Sequence, residues 1–112
     1  MTISHVHCRM KDLSGAVAWF ASRCAVAPSF NDARMAVFPF GDFTLILDAA
    51  PEDSVATIGF NSDDCDADFD ALVSRGAHPL EPPRDRPYGA RVAYLQGPGA
   101  LTIEIEQLLQ SA

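Results

Sequence analysis

The chain has 112 residues, 48% of them hydrophobic, and a formal net charge of -7. This length and apolar content fit one domain with a single core and leave little for a second. The acidic balance excludes nucleic acids and anionic membranes as expected partners, because both surfaces would repel the chain.

Three cysteines, Cys8, Cys24 and Cys65, lie far apart and form no CxxC pair. Their spacing indicates neither a disulfide framework nor a thiolate zinc site. The first residues show no basic segment followed by an apolar one, and no run approaches the ~20 apolar residues that a membrane span needs. We therefore expect a cytoplasmic protein with reduced thiols and no membrane contact.

The first predicted elements are a strand and a helix. His5, His7 and Arg9 alternate with mostly apolar neighbours, which is typical of a strand with one packed face. Asp12 stands where a helix N-cap belongs, and apolar residues recur at helical spacing from there to about Cys24.

Two further strands are predicted at residues 34–38 and 43–48, with a turn at residues 39–42 between them. A short polar connector with a proline, residues 49–54, follows them. The pattern of the first half then begins again.

The second half repeats the first. Residues 55–61 alternate as a strand, an acidic helix start follows at residues 63–66, and Gly76 is placed as the C-cap of that helix. A longer loop is predicted at residues 81–89, after which the last strand, at residues 101–106, repeats the apolar alternation of the first half.

This repeat predicts an α+β fold of two βαβββ modules, at about residues 3–49 and 55–108, in a single domain spanning residues 1–112. In each module the helix covers one sheet face, and we expect the remaining faces to form a cleft lined by mixed sheets. The side chains of opposite parity to the core are expected to line it. They are His5, His7, Arg9, Thr44, Ile46, Asp48, Thr57, Gly59, Asn61, Arg91, Glu104 and Glu106.

Several segments of the chain resemble those of a known family. The run His5-Val6-His7-Cys8-Arg9-Met10-Lys11-Asp12-Leu13, followed by a helix with Trp19-Phe20, is similar to the opening of glyoxalase I and its vicinal oxygen chelate relatives. The segments around Arg75-Gly76-Ala77, Pro87-Tyr88-Gly89, Gly97-Pro98-Gly99 and Ile103-Glu104-Ile105-Glu106-Gln107 resemble the second module of that superfamily. The superfamily includes glyoxalases, bleomycin-resistance proteins and extradiol dioxygenases, and the resemblance implies their fold.

The resemblance also implies where a metal would bind. Metal-using members carry four ligands, on the first and last strands of each module, and the matching positions here are His5, Ile46, Thr57 and Glu104. His5 and Glu104 can bind a divalent metal such as Zn, Ni, Mn or Fe. Isoleucine has no lone pair, and a threonine hydroxyl is a poor ligand beside imidazole, so the implied metal site is incomplete.

The arginines suggest an anionic ligand. Arg9 is similar in position to an arginine with which glyoxalase I binds a carboxylate, and Arg84, Arg86 and Arg91 belong to the long loop and the strand after it. Because arginine pairs bidentately with planar oxyanions, their clustering favours a small, carboxylate-bearing molecule.

A cationic ligand is the alternative. Bleomycin-resistance proteins bind a cationic drug in an acidic cleft, and Asp48, Glu104 and Glu106 could supply such a cleft here. Both alternatives stay open. The candidate ligand-binding residues are His5, His7, Arg9, Ile46, Thr57, Asn61, Tyr88, Arg91, Glu104 and Glu106.

Two functional hypotheses follow. The first is a metal-free binding protein for a small organic molecule, with the chain forming a homodimer because each module alone leaves much of one sheet face bare. The second is a metal-dependent lyase, isomerase or dioxygenase, in which a metal on His5 and Glu104 polarises a substrate oxygen. An interaction module that keeps only the scaffold is a third possibility.

Overall fold

The structure, a computed structural model, describes residues 1–109. Within them the elements follow one another in the order β1 (His5–Met10), α1 (Leu13–Arg23), β2 (Phe30–Asn31), β3 (Met35–Phe40), β4 (Phe43–Ala49), β5 (Ala56–Asn61), α2 (Cys65–Ser74), β6 (His78–Arg86), β7 (Ala90–Gln96) and β8 (Leu101–Leu108). The predicted order βαβββ thus occurs twice, which confirms the α+β fold class.

The elements group into two compact units. Unit 1 comprises residues 1–55 together with residues 98–100, and unit 2 comprises residues 56–97 together with the segment that begins at Leu101. Each unit contains one helix and one four-stranded sheet.

In unit 1 the strands are ordered β1-β4-β3-β2, with β1 parallel to β4 and the other pairs antiparallel. Strand alternation places one set of apolar side chains beneath α1, where all of them are buried; they are Cys8, Met10, Ala36, Phe38, Leu45 and Leu47. The opposite face of this sheet has no helix. It carries the polar side chains of β1 and β4.

Helix α1 begins where the sequence predicts, because the Asp12 carboxylate accepts a hydrogen bond of 3.0 Å from the backbone N–H of Gly15. Its buried residues, Leu13, Ala16 and Phe20, recur at helical spacing and face the sheet. The ring of Phe20 lies 5.6 Å from that of Phe38, so helix and sheet share one aromatic core in unit 1.

In unit 2 the order is β5-β8-β7-β6, again with a parallel first pair. Asp64 caps α2 by accepting a hydrogen bond from the N–H of Ala67, and Gly76 ends the helix with a φ of 101°, a conformation that glycine adopts without strain. Helix α2 buries Cys65, Phe69 and Leu72 over its sheet. The face of this sheet opposite α2 is likewise free of a helix.

The prediction of a loop at residues 81–89 is wrong in its first part. Residues 81–86 belong to strand β6, which pairs antiparallel with β7 through two register shifts, at Pro79/Glu81 and Glu81/Arg84. The prolines of this segment cannot donate to a ladder, but β6 is an edge strand, where proline is tolerated. The two-residue strand β2 was also missed, since it is too short to show a period.

No helix within residues 1–109 is long and apolar enough to cross a membrane.

Candidate functional site

Each unit has one sheet face that its own helix does not cover, called here the helix-free face. In unit 1 this face carries His5, His7 and Arg9 from β1, and β4 adds Thr44, Ile46 and Asp48. All six have the parity opposite to the buried Cys8, Leu45 and Leu47. The alternation in the sequence predicted this placement.

A histidine–aspartate pair lies on the helix-free face of unit 1. Nδ1 of His7 is 2.7 Å from Oδ2 of Asp48, and both side chains are partly exposed. A second imidazole lies beside the first, since the rings of His5 and His7 are 5.3 Å apart in an edge-to-face arrangement. Nδ1 of His5 is 2.7 Å from the Ser4 hydroxyl oxygen. These contacts use Nδ1 of both rings, which leaves each Nε2 for a ligand.

Arg9 is exposed on the same face, and its side chain makes no ion pair with another residue of the range 1–109. Its backbone N–H donates to the Ser54 hydroxyl at 2.7 Å, so the strand is held independently of the guanidinium. Arg9 can therefore offer its guanidinium to an oxyanion.

In unit 2 the helix-free face carries a tyrosine–glutamate pair. Tyr94 of β7 lies opposite Glu104 of β8, and the phenol donates a hydrogen bond of 2.9 Å to Oε2 of the carboxylate. This hydrogen bond, partial burial and the negative charge of Glu104 raise the pKa of the Tyr94 phenol above its ordinary value. Glu104, expected to be a metal ligand, is thus engaged by a neighbouring side chain.

Arginine flanks this pair. The guanidinium carbon of Arg86 lies 5.9 Å from the centroid of the Tyr94 ring, within the range of a cation–π contact. Nη2 of Arg86 also donates to Oε1 of Glu81 at 2.8 Å, and Arg84 contacts the same carboxylate oxygen. The arginines of this segment are therefore paired with a carboxylate of their own strand.

Asn61 and Glu106, both candidate ligand-binding residues, are brought together by the register of β5 and β8. They line an open depression of about 720 Å³, whose other lining residues are Ser62, Asp63, Gln107, Leu108 and Leu109. This depression combines carboxylates with exposed leucine side chains, so it can accept an amphipathic molecule.

Arg91 is not on the helix-free face, and its expected placement there is wrong. It pairs across the sheet with Gln107, and its guanidinium donates to Asp66 of α2 at 3.1 to 3.3 Å and to Asp85 of β6 at 2.9 Å. The hydrogen bonds to Asp66 and then to Asp85 raise its pKa. The sequence pattern gave the wrong sheet face for Arg91 because its neighbours Val92 and Ala93 are both apolar and both buried, so apolar and polar residues do not alternate in this part of β7.

The remaining candidates are scattered. Thr57 is exposed on β5 of unit 2, and Ile46 is half-buried on β4 of unit 1. Tyr88 lies in the turn between β6 and β7 and is 67% exposed. Ligand binding by these residues stays a prediction.

The residues present do not fit a complete metal site. No group of three or more His, Cys, Asp or Glu side chains within residues 1–109 is arranged to hold a metal ion. The hydrocarbon side chain of Ile46 offers no lone pair, and Glu104 already accepts a hydrogen bond from the Tyr94 hydroxyl.

Two of the three cysteines, Cys8 and Cys65, offer no reactive thiolate. Cys8 and Cys65 are buried, and burial together with nearby aspartates raises the pKa of each thiol. Cys24 is partly exposed and forms no disulfide. Thiol nucleophilic chemistry is therefore not supported at Cys8 or Cys65.

Sequence reasoning missed Tyr94 and Glu81 as site residues, and it expected Arg86 near the site in a loop, although Arg86 lies on strand β6. The sequence does not indicate which sheet face Tyr94 occupies. Strand β7 has buried residues on both faces, and β6 pairs with it through register shifts, so neither strand shows a regular alternation of apolar and polar residues. One signal was available. Glu104 matches a ligand position of the family, so the residue opposite it on β7, which is Tyr94, belongs to the same site.

Residues 2–105 match the family described as Glyoxalase/Bleomycin resistance protein/Dioxygenase superfamily. No curated protein is significantly similar in sequence.

Solved structures of similar fold are numerous. A glyoxalase/bleomycin resistance protein/dioxygenase from Nocardioides has 22% identity and a TM-score of 0.85, over 100% of this chain and 86% of that one. The bleomycin resistance determinant encoded on transposon Tn5 has 18% identity and a TM-score of 0.79, over 96% and 98%. Lactoylglutathione lyase from Agrobacterium tumefaciens has 15% identity and a TM-score of 0.82, over 95% and 92%. At these identities the likeness shows the fold alone.

Proposed function

Because the chain belongs to the Glyoxalase/Bleomycin resistance protein/Dioxygenase superfamily, we propose that it binds a small organic molecule on its helix-free sheet faces without a complete metal site. This would make it a binding protein that sequesters or senses its ligand. The proposal is supported by the chemistry of side chains on those faces.

The observation that carries the proposal is the loss of two of the four ligand positions implied by the family. Ile46 in unit 1 and Thr57 in unit 2 occupy positions where metal-using relatives carry His, Gln or Glu. A divalent ion held by two protein ligands keeps most of its water and binds weakly. Of the two residues that remain, His5 and Glu104, the second already accepts a hydrogen bond from Tyr94.

The helix-free face of unit 1 has the composition of a ligand site. Met35 and Val37 on β3 and Ile46 on β4 are partly buried apolar side chains, and the pairing of Met35 with Asp48 places the His7–Asp48 pair beside them. Small-molecule sites typically combine an apolar lining with a few placed polar groups. The apolar part would contribute affinity, and the polar part would orient the ligand.

We propose that the part of the ligand that contacts Arg9 is negatively charged. Of the four arginines expected near the site, Arg84 and Arg86 share Glu81, and Arg91 is bound by Asp66 and Asp85. Arg9 alone of these four has no ion pair with the described residues. One carboxylate contact at Arg9 is therefore proposed, rather than a cluster of arginines around a multiply charged ligand.

A metal-dependent lyase, isomerase or dioxygenase is the second candidate. The retained His5 and Glu104 favour it, since both residue types are metal ligands in the family. It requires Glu104 to exchange its Tyr94 hydrogen bond for a metal and further ligands to come from residues such as His7 or Glu106.

Ligand screening in the presence and absence of a chelator tests the proposal. A thermal-shift screen of small organic compounds, run with excess EDTA and without it, should yield the same ligands with equal affinities by calorimetry. The proposal requires no metal between protein and ligand, so the chelator has nothing to remove. Ligands whose binding disappears with EDTA and returns with added Zn, Ni, Mn or Fe would contradict it.

We also propose that the chain forms a homodimer. Large apolar side chains are exposed in both units, among them Ile3, Phe30, Val55 and Leu80, and such exposure in a small protein favours association. Light scattering at micromolar concentration should then give a mass of two chains of 12.1 kDa. A mass of one chain over the whole concentration range would contradict the dimer.

A further inference from the structure

The pair Tyr94–Glu104 is fixed from several sides. The two residues are direct partners in the antiparallel ladder of β7 and β8, and their side chains are joined by the 2.9 Å hydrogen bond from phenol to carboxylate. Both side chains are half-buried, so the contact is shielded from solvent more than a surface pair is. The donor in this bond is the phenol, because an ionised carboxylate can only accept.

Gly59 provides the space for the carboxylate. It is the ladder partner of Glu104 on the other side, in β5, and a Cβ added to it would lie 3.0 Å from Oε1 of Glu104. The backbone of Gly59 is not in the left-handed region, so its conformation does not require glycine. A Cβ here would make the Glu104 carboxylate move by a few tenths of an ångström, so glycine leaves the room in which that side chain leans toward β5 while its other oxygen reaches Tyr94.

Arg86 holds the tyrosine ring. Its guanidinium lies 5.9 Å from the ring centroid and is itself anchored by Glu81 at 2.8 Å, and its side chain is only 19% exposed. An aromatic ring held by a hydrogen bond at its oxygen and by a cation at its ring has little freedom to rotate.

From this geometry we infer that Glu104 is a positioning residue for Tyr94, and that the oxygen of Tyr94 is a specificity-determining hydrogen-bond acceptor for a ligand that brings an N–H or O–H donor. A tyrosine has one hydroxyl proton, and here that proton is used in the hydrogen bond to Glu104. The lone pairs that remain on the oxygen can only accept. The inference rests on the proposed function, because it takes the helix-free face of unit 2 as a ligand-binding surface.

The positioning role is tested without any ligand, by titrating the phenol. The chain has two tyrosines, so in a Tyr88→Phe background the ring signal of ¹³C-labelled tyrosine reports Tyr94 alone. Glu104→Gln should lower the pKa of Tyr94 below that of the parent, because the negative charge that opposes phenolate formation is removed.

Glu106→Gln is the matched control. Glu106 has the same parity on the same strand but lies opposite Val92, so its removal should leave the Tyr94 titration unchanged. Circular dichroism at each pH restricts the comparison to folded protein. An unchanged Tyr94 pKa in Glu104→Gln, or an equal shift in Glu106→Gln, overturns the positioning role.

The acceptor role is tested with phenol and anisole, two probes that share a ring and differ in the O–H donor. Phenol should perturb the Tyr94 resonances with an affinity about fivefold to tenfold higher than that of anisole, the usual effect of one neutral hydrogen bond. This preference should vanish in Tyr94→Phe. Equal affinities, a preference that survives in Tyr94→Phe, or no phenol binding at Tyr94 would overturn it.

Failure of this inference and failure of the proposed function give different results. Stoichiometric metal that is lost in Glu104→Ala contradicts the proposed function itself. Metal-free protein in which Glu104→Gln leaves the Tyr94 titration unchanged contradicts the inference alone.

Discussion

Replacing Phe20 with alanine is expected to lower the free energy of unfolding by about 3–5 kcal/mol, the range for deleting a buried aromatic side chain. Phe20 is 0% exposed, and its ring lies 5.6 Å from Phe38 and 6.4 Å from Phe40, so its removal leaves a cavity between α1 and the sheet of unit 1. Urea denaturation followed by circular dichroism measures the loss.

Phe43→Ala is the control for this variant. Phe43 lies on β4 of the same unit but is 37% exposed, so the same chemical change should cost well under about 2 kcal/mol. Equal losses in the two variants would show that the packing of α1 on its sheet is not what stabilises unit 1.

Replacing Arg9 with alanine is expected to weaken an anionic ligand about tenfold to a hundredfold, as the loss of one charge-assisted hydrogen bond does. The fold should be retained, because the guanidinium makes no ion pair within the described chain and the Arg9 backbone N–H still donates to Ser54. Calorimetry with an anionic compound from the EDTA screen measures the change in affinity.

Arg34→Ala is the charge-matched control, since Arg34 is exposed in the segment before β3 and has the parity of buried Ala36, opposite to that of the helix-free face. It should retain the parent affinity at physiological salt, where distant exposed charges are screened. Unchanged binding in Arg9→Ala, or an equal loss in both variants, would remove Arg9 from the anion-binding site.

Local physics made much of the fold predictable. Asp12 and Asp64 precede helical apolar periods, and both cap their helices by accepting backbone N–H bonds. The alternation in β1 and β4 is regular, so the helix-free face of unit 1 follows from parity alone. The repeat then extends the βαβββ order to the second half.

Non-local pairing made the rest unpredictable. Taken alone, the proline-rich sequence of β6 is typical of a loop. Only its pairing with β7, through two register shifts, makes this segment a strand. The sheet face on which the Arg91 side chain lies is the one where Asp66 of α2 and Asp85 of β6 pair with it, and both partners belong to other elements. The role of Tyr94 likewise depends on Glu104 across the sheet, a contact that no local pattern contains.

The most direct test of the central claim is elemental analysis of protein purified without a chelator. The side chains of Ile46 and Thr57 leave His5 and Glu104 as the retained ligand positions, so we predict clearly less than one equivalent of Zn, Ni, Mn or Fe per chain. A stoichiometric metal that disappears in both His5→Ala and Glu104→Ala would contradict the account and establish the metal-dependent alternative. Separate alanine variants of His7 and Glu106 would then identify the third ligand.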